Sequence, residues 1–194
     1  MKLLILTQNE NLYLPQAFGA VCRAKPDDVV GIVIAPAMST HGGPFKGFMK
    51  HWSLFGTWCT FRMGVRVIGA KLLSKMRKAS PSGPFYSIEN VADAFDIPCH
   101  HVTKVNGDEF HSIIDKYEPD LLISISCPQI IGRKVRQRFP RGAINVHGAP
   151  LPKYRGLMPA FWALLNNEES TATTVHDLAN KLDNGEILVQ RDVA

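Results

Sequence analysis

The sequence predicts an α/β fold: a mostly parallel, twisted sheet with helices on both faces and a helical insertion after the second strand. Three observations carry this. Short apolar runs alternate with helix-length segments at the spacing of strand–helix units. The run Val29–Ala35 is continuous in apolar residues, as strands covered on both faces are, and Asp120–Ser126 reads as another buried strand. Residues 45–79 break the rhythm with a helical pattern of their own.

Each element has its own signal. Lys2–Thr7 is a short apolar run and reads as a central strand. Pro15–Arg23 reads as a helix with Pro in its first turn, where the missing N–H costs nothing. Val29–Ala35 is β-branched and buried. Ser87–Phe95 is a helix with Ser87 as its N-cap. Cys99–Val102 is a short strand, Asp108–Lys116 a helix, and Asp120–Ser126 another buried strand. Gly132–Phe139 is a basic helix, Ala143–Val146 a strand, and Pro159–Asn166 a short helix. Thr171–His176 alternates like a strand, and Glu186–Gln190 is the last one. In such sheets ligands sit at the carboxyl ends of the strands, where the strand order reverses.

The length of 194 residues suits one domain. Hydrophobic residues are 45% and charged residues 20%, which excludes a disordered or fibrous chain. No apolar run reaches the ~18 residues of a membrane span, and the start lacks a signal peptide's cleavage site, so a cytoplasmic protein is expected. Cys22, Cys59, Cys99 and Cys127 form no C-x-x-C pair and stand near no His at metal spacing. Reduced thiols and no metal are the expectation.

The net charge of +5 is local in origin. From Val29 through Ile88 there is no Asp or Glu, and the window holds eight cations: Lys46, Lys50, Arg62, Arg66, Lys71, Lys75, Arg77 and Lys78. Outside it, acids outnumber cations by three. Breakers bracket the segment, Gly42-Gly43-Pro44 before it and Ser80-Pro81-Ser82-Gly83-Pro84 after it. Phe45, Phe48, Trp52, Phe55, Trp58 and Phe61 recur every three or four residues, which places them on one helix face. Gly56, Gly64 and Gly69 predict a helix broken near Gly56 or Gly64. Three readings stand open: a flap packed on the domain, a site for an anionic acceptor such as a phosphorylated amine or tRNA, and contact with an anionic membrane.

The strongest local signal is Asn145-Val146-His147, which ends a strand and opens an irregular loop containing Pro150, Pro152 and Gly156. Asn145 and His147 lie two residues apart, on one face of the strand. An amide and an imidazole aimed into a strand-end crevice can stabilise an oxyanion and move a proton. Residues of these types can equally serve only to satisfy backbone groups.

The stretch Asn145-Val146-His147-Gly148-Ala149-Pro150-Leu151-Pro152-Lys153-Tyr154-Arg155-Gly156 resembles the signature of the folate-dependent formyltransferases. So does a second stretch at the family's spacing, Thr174-Val175-His176 followed by Leu182-Asp183-Asn184-Gly185-Glu186-Ile187-Leu188-Val189-Gln190. The resemblance spans about 118–190 and implies the Rossmann-like fold of that family. It places the catalytic Asn, His and Asp on Asn145, His147 and Asp183. It places the pterin-contacting turn on Gln129, Ile130 and Ile131, and the folate loop on Leu178, Ala179, Asn180, Lys181 and Leu182. His176 matches a histidine behind the Asp. One departure is Ala149, where the family has Ser.

The implied function is transfer of a formyl group from 10-formyltetrahydrofolate to an amine of a small acceptor, an amino-sugar nucleotide being the leading choice. Methionyl-tRNA formylation, formyl-folate hydrolysis and a non-catalytic folate- or nucleotide-binding module are the alternatives. In the implied mechanism Asn145 and protonated His147 stabilise the oxyanion of a tetrahedral intermediate, and Asp183 supports the charge on His147 and the proton transfer. Relatives continue past the position of Ala194, so the sequence also reads as a piece of a longer enzyme.

Overall fold

The computed structural model describes residues 1–36 and 44–193. In chain order the elements are β1 (Leu3–Gln8), α1 (Leu14–Ala24), β2 (Val29–Ala35), α2 (Pro44–Met76), α3 (Ile88–Ala94), β3 (Cys99–His101), α4 (Asp108–Tyr117), β4 (Leu121–Ile125), α5 (Arg133–Arg136), β5 (Ala143–His147), α6 (Pro159–Leu165), β6 (Thr171–Asp177) and β7 (Ile187–Val193). The strands form one sheet in the order β3-β2-β1-β4-β5-β6-β7. Pairings from β3 to β5 are parallel, and β6 runs antiparallel to both β5 and β7. The order reverses between β1 and β4, so a crevice is expected at their carboxyl ends.

The two-residue period of a strand sorts β1 between two cores. Leu4 and Leu6 pack with Phe110, Ile113 and Ile114 of α4 and Val135 of α5. Leu3 and Ile5 pack on the opposite face with Phe18 and Cys22 of α1 and Ile88, Val91 and Ala92 of α3. The sheet therefore carries helices on both faces. Ser87 caps α3 as its sequence position suggests, its hydroxyl accepting the Asn90 N–H at 3.1 Å.

Two elements differ from the sequence reading. The basic helix shrinks from 132–139 to the single turn Arg133–Arg136. Pro140 disfavours helical backbone at Phe139, and that ring turns into the core instead. The last strand runs on to Val193, pairing with Thr171, although the apolar pattern ends earlier. All seven of its residues are exposed, so no burial signal marks its end.

The insertion is helical from Pro44 to Met76 with one break at Gly56, whose φ of 74° and ψ of 174° suit a residue without Cβ. Phe48, Trp52, Phe55, Trp58 and Phe61 are exposed rather than packed on the domain. The side chains of Phe45, Lys46 and Lys50, and residues Gly42 and Gly43, lie outside the described residues. The second half of the helix is held by Arg66, which donates to the Tyr13 hydroxyl at 3.4 Å, and by the Ser74 carbonyl, which accepts from the Asn90 amide at 3.1 Å.

Candidate active site

Sheet register builds the site. In the antiparallel β5–β6 pair, Asn145 stands opposite His176 and His147 opposite Thr174. The β6–β7 turn then carries Asp183 back over the same strand ends. Asp183 adopts φ 44°, a left-handed conformation that costs energy in any residue but Gly. Its carboxylate meets both histidines: Oδ2 is 3.7 Å from His147 Nδ1, and Oδ1 is 3.6 Å from His176 Nε2. Both separations exceed a direct hydrogen bond and lie within ion-pair range. The Gly156 N–H donates to Oδ2 at 2.7 Å and fixes the carboxylate. All three side chains are nearly buried, at 7%, 9% and 1% exposure for His147, Asp183 and His176.

Hydrogen-bond chemistry assigns the protons. A carbonyl can only accept, so His176 Nδ1–H donates to the Asp177 carbonyl at 2.9 Å. In the neutral ring this leaves Nε2 to accept from the Asn145 side-chain amide at 3.3 Å. His176 thus orients Asn145 as well as facing Asp183. By the same logic His147 Nε2–H donates to the Tyr154 carbonyl at 2.9 Å, and Nδ1 is the nitrogen that faces Asp183.

Asn145, His147 and Asp183 line a cleft of about 380 Å³ together with Gln8, Cys127, Pro128, Gly156 and Leu182. It lies at the carboxyl ends of β1, β4 and β5, where the strand order reverses. The expected pterin turn does not line it. The Gln129 amide is spent on the neighbouring loop, accepting from Val105 N–H and donating to the Thr103 carbonyl. Ile130 points outward at 80% exposure, and Ile131 belongs to the core. Ser126, Cys127 and Pro128 occupy the wall instead. Of the expected folate loop, Leu182 lines this cleft, whereas Leu178 and Asn180 line a separate one of about 530 Å³ with Arg133, Arg136 and Arg141. There Arg136 donates to the Leu178 carbonyl and to Asn180 Oδ1. Ala179 and Lys181 are exposed.

Some motif residues act one layer behind the cleft, which their spacing did not reveal. The buried Thr174 hydroxyl donates to the Ala149 carbonyl at 2.6 Å and accepts from Gln190 Nε2 at 2.8 Å. Gln190 also donates to the Leu151 carbonyl at 3.1 Å. These bonds pin the loop after His147. Ala149 is fully buried within it and does not line the cleft, so the Ser-to-Ala departure removes no hydroxyl from the wall. Gly185 is required by a close approach: a Cβ there would lie 1.7 Å from the Asp177 carbonyl oxygen. Away from the cleft, the Glu10 carboxylate accepts the N–H groups of Leu12, Tyr13 and Leu14 at 2.6–2.8 Å. The N-terminus of α1, a natural anion seat, is filled by the chain itself.

The formyl transferase family model matches residues 66–194, about two thirds of the chain. The chain belongs to the formyl transferase family. Among relatives, a methionyl-tRNA formyltransferase of Chlorobium chlorochromatii is 36% identical over 107 residues, covering 55% of this chain and 34% of that protein. The bifunctional polymyxin resistance protein ArnA of Wigglesworthia glossinidia brevipalpis is 29% identical over 138 residues, covering 71% of this chain and 21% of that protein. The chain spans between about a third and two fifths of the length of the methionyl-tRNA formyltransferases it is compared with. A phosphoribosylglycinamide formyltransferase from Anaplasma phagocytophilum shares the fold, with a TM-score of 0.63 at 16% identity over 100% of this chain and 72% of that one. The seven-stranded sheet with its antiparallel end is thus the fold of a formyl transferase.

Proposed function

We propose that this protein transfers a formyl group from 10-formyltetrahydrofolate to an amine of a small acceptor. The observation that carries the reading is the convergence of Asn145, His147 and Asp183 on one cleft at the sheet's switch point. The donor supplies the activated formyl carbon. Asn145 Nδ2 has one hydrogen engaged by His176, and its second is the donor for the oxygen that becomes anionic as the amine attacks. His147 Nδ1, facing Asp183, is the nitrogen placed to take the proton lost by the amine and return it to the folate nitrogen as its bond to the formyl carbon breaks, because Nε2 is tied to Tyr154. Asp183 is fixed by Gly156 and turns its charge on both rings. Leu182, Cys127 and Pro128 offer the apolar wall that a ring ligand needs.

For the acceptor we propose an amine that places no phosphate at the start of α1, since Glu10 holds those N–H groups. An amino-sugar nucleotide whose phosphates lie elsewhere is the first to assay. The similarity to methionyl-tRNA formyltransferases favours methionyl-tRNA as a second acceptor.

The test incubates the protein with 10-formyltetrahydrofolate and follows tetrahydrofolate release with no acceptor, with amino-sugar nucleotides, and with methionyl-tRNA. Release that depends on an amino-sugar nucleotide, with a formamide product, is expected. Equal release without any amine would make the protein a hydrolase, and dependence on methionyl-tRNA alone would replace the small acceptor. No release in any arm overturns the reading.

A further inference from the structure

We propose that the outer face of α2 docks the protein on an anionic lipid surface. The argument starts from the 100° turn per residue of an α-helix applied to residues 57–76. Trp58, Phe61, Val65, Ile68, Leu72 and Met76 fall on one arc of about 80°. Every one of them is exposed, Trp58 at 73% and Met76 at 80%. Thr60 and Ala70 fall on the opposite arc and are buried at 8% and 7%. The helix therefore meets the domain through a narrow face of small or short side chains and turns its large apolar stripe away from it. The Trp58 and Phe61 rings stack at 6.2 Å and widen the stripe near the break at Gly56. An exposed apolar stripe of this extent marks an interaction surface.

Charge chooses the occupant. On the same wheel Arg62 borders one edge of the stripe and Lys75 the other, while Arg66, held by Tyr13, and Lys71 lie further round towards the domain. All four are exposed, and no Asp or Glu lies anywhere in the helix. A second copy of this chain, laid stripe to stripe, would bring Arg62 and Lys75 against like charges. An anionic bilayer meets both edges with opposite charge and takes the aromatic side chains between its headgroups. At 20 residues the half-helix is about 30 Å long, within the range of helices that lie in the interface plane. Among the described residues no helix is long and apolar enough to span a membrane, which fits a surface contact. Its inner side has another use: Val67 and Lys71 line a cleft of about 730 Å³ with Asn9, Ile34, His101 and Thr103, so the docking helix also walls a pocket beside the strand ends.

The test is co-sedimentation with vesicles of phosphatidylcholine alone and of phosphatidylcholine with 30% phosphatidylserine, at low and high salt. The expected result is binding to the anionic vesicles only, weakened by salt. Trp58→Ala with Phe61→Ala should weaken it at least tenfold, and Arg62→Ala with Lys75→Ala about tenfold or more. These side chains are exposed, so the variants should keep the wild-type circular dichroism. Trp162→Ala with Leu164→Ala, exposed apolar residues of α6, should leave it unchanged. Lack of binding, or binding that ignores the α2 variants, overturns the proposal. So does a dimer in the absence of lipid that Trp58→Ala with Phe61→Ala dissolves. Retention of tRNA, lost with Arg62→Ala and Lys75→Ala but without vesicle binding, would reassign the face to nucleic acid. None of these outcomes depends on formyl transfer, so they stand apart from the activity assay.

Discussion

Two hydrogens on one amide nitrogen separate the roles Asn145 plays. One is held by His176 and the other is available to the reaction. On the proposed mechanism Asn145→Ala removes a single oxyanion donor and should lower kcat by about 10²–10³ while leaving the donor's KM near the wild-type value. A variant with unchanged kcat would remove Asn145 from the chemistry. The residue names of this constellation were legible because two motifs stand at a fixed separation. Their partners were not. A sequence does not show that Gln129 spends its amide on Thr103 and Val105, or that His147 Nε2 is taken by a carbonyl seven residues on. Cysteine chemistry is set at the same scale. Burial pushes the Cys22 and Cys99 thiols up to about 11, whereas Cys59 is exposed. Since the thiolate is the nucleophile, both should resist iodoacetamide in the native protein below about pH 9 and react only as pH climbs towards their raised values. Mass mapping of the alkylated protein should find Cys59 labelled ahead of them, and early labelling of Cys22 would contradict its placement.

At the scale of elements, legibility followed burial. β1, β2 and β4 announce themselves because both faces are covered, which leaves an apolar run whatever the register. β7 is an exposed edge strand, so only its hydrogen bonds to β6 define its length. The β6–β7 connection is the element on which the site depends, because it sets Asp183 in a left-handed conformation against two histidines. Gly185 makes that path passable. Gly185→Ala would drive a methyl into the Asp177 carbonyl, which is backbone and cannot step aside. The turn must then move, and Asp183 with it. The expected result is a loss of kcat with far-ultraviolet circular dichroism preserved, since both cores lie elsewhere. Full activity in this variant would show that the turn tolerates another path.

At the scale of the whole molecule, one sheet separates two kinds of surface. Its carboxyl edge gathers the cleft, while α2 carries basic and aromatic residues that belong to neither core. The charge asymmetry was visible in composition, but the direction of the aromatic stripe was not. A period of three to four residues fixes which side chains share a face and leaves open whether that face turns inward. A ligand that binds only the native state reports on the other surface, because it stabilises folding by RT ln(1 + [L]/Kd). A stable folate analogue at one hundred times its Kd should add about 2.7 kcal/mol, which for a chain of this size raises Tm by roughly 5–10 °C. Asn145→Ala should show nearly the same rise, because on the proposed mechanism its amide serves charge that develops only during reaction. Leu182→Asp, which places a charge on the apolar cleft wall, should reduce the rise while leaving the unliganded Tm little changed, since Leu182 is already exposed. Differential scanning fluorimetry of the three proteins separates folate binding from catalysis. If the analogue shifts none of them, the cleft is not the folate site. If Asn145→Ala loses the whole shift, Asn145 holds the ground-state ligand and the proposed division between binding and chemistry fails.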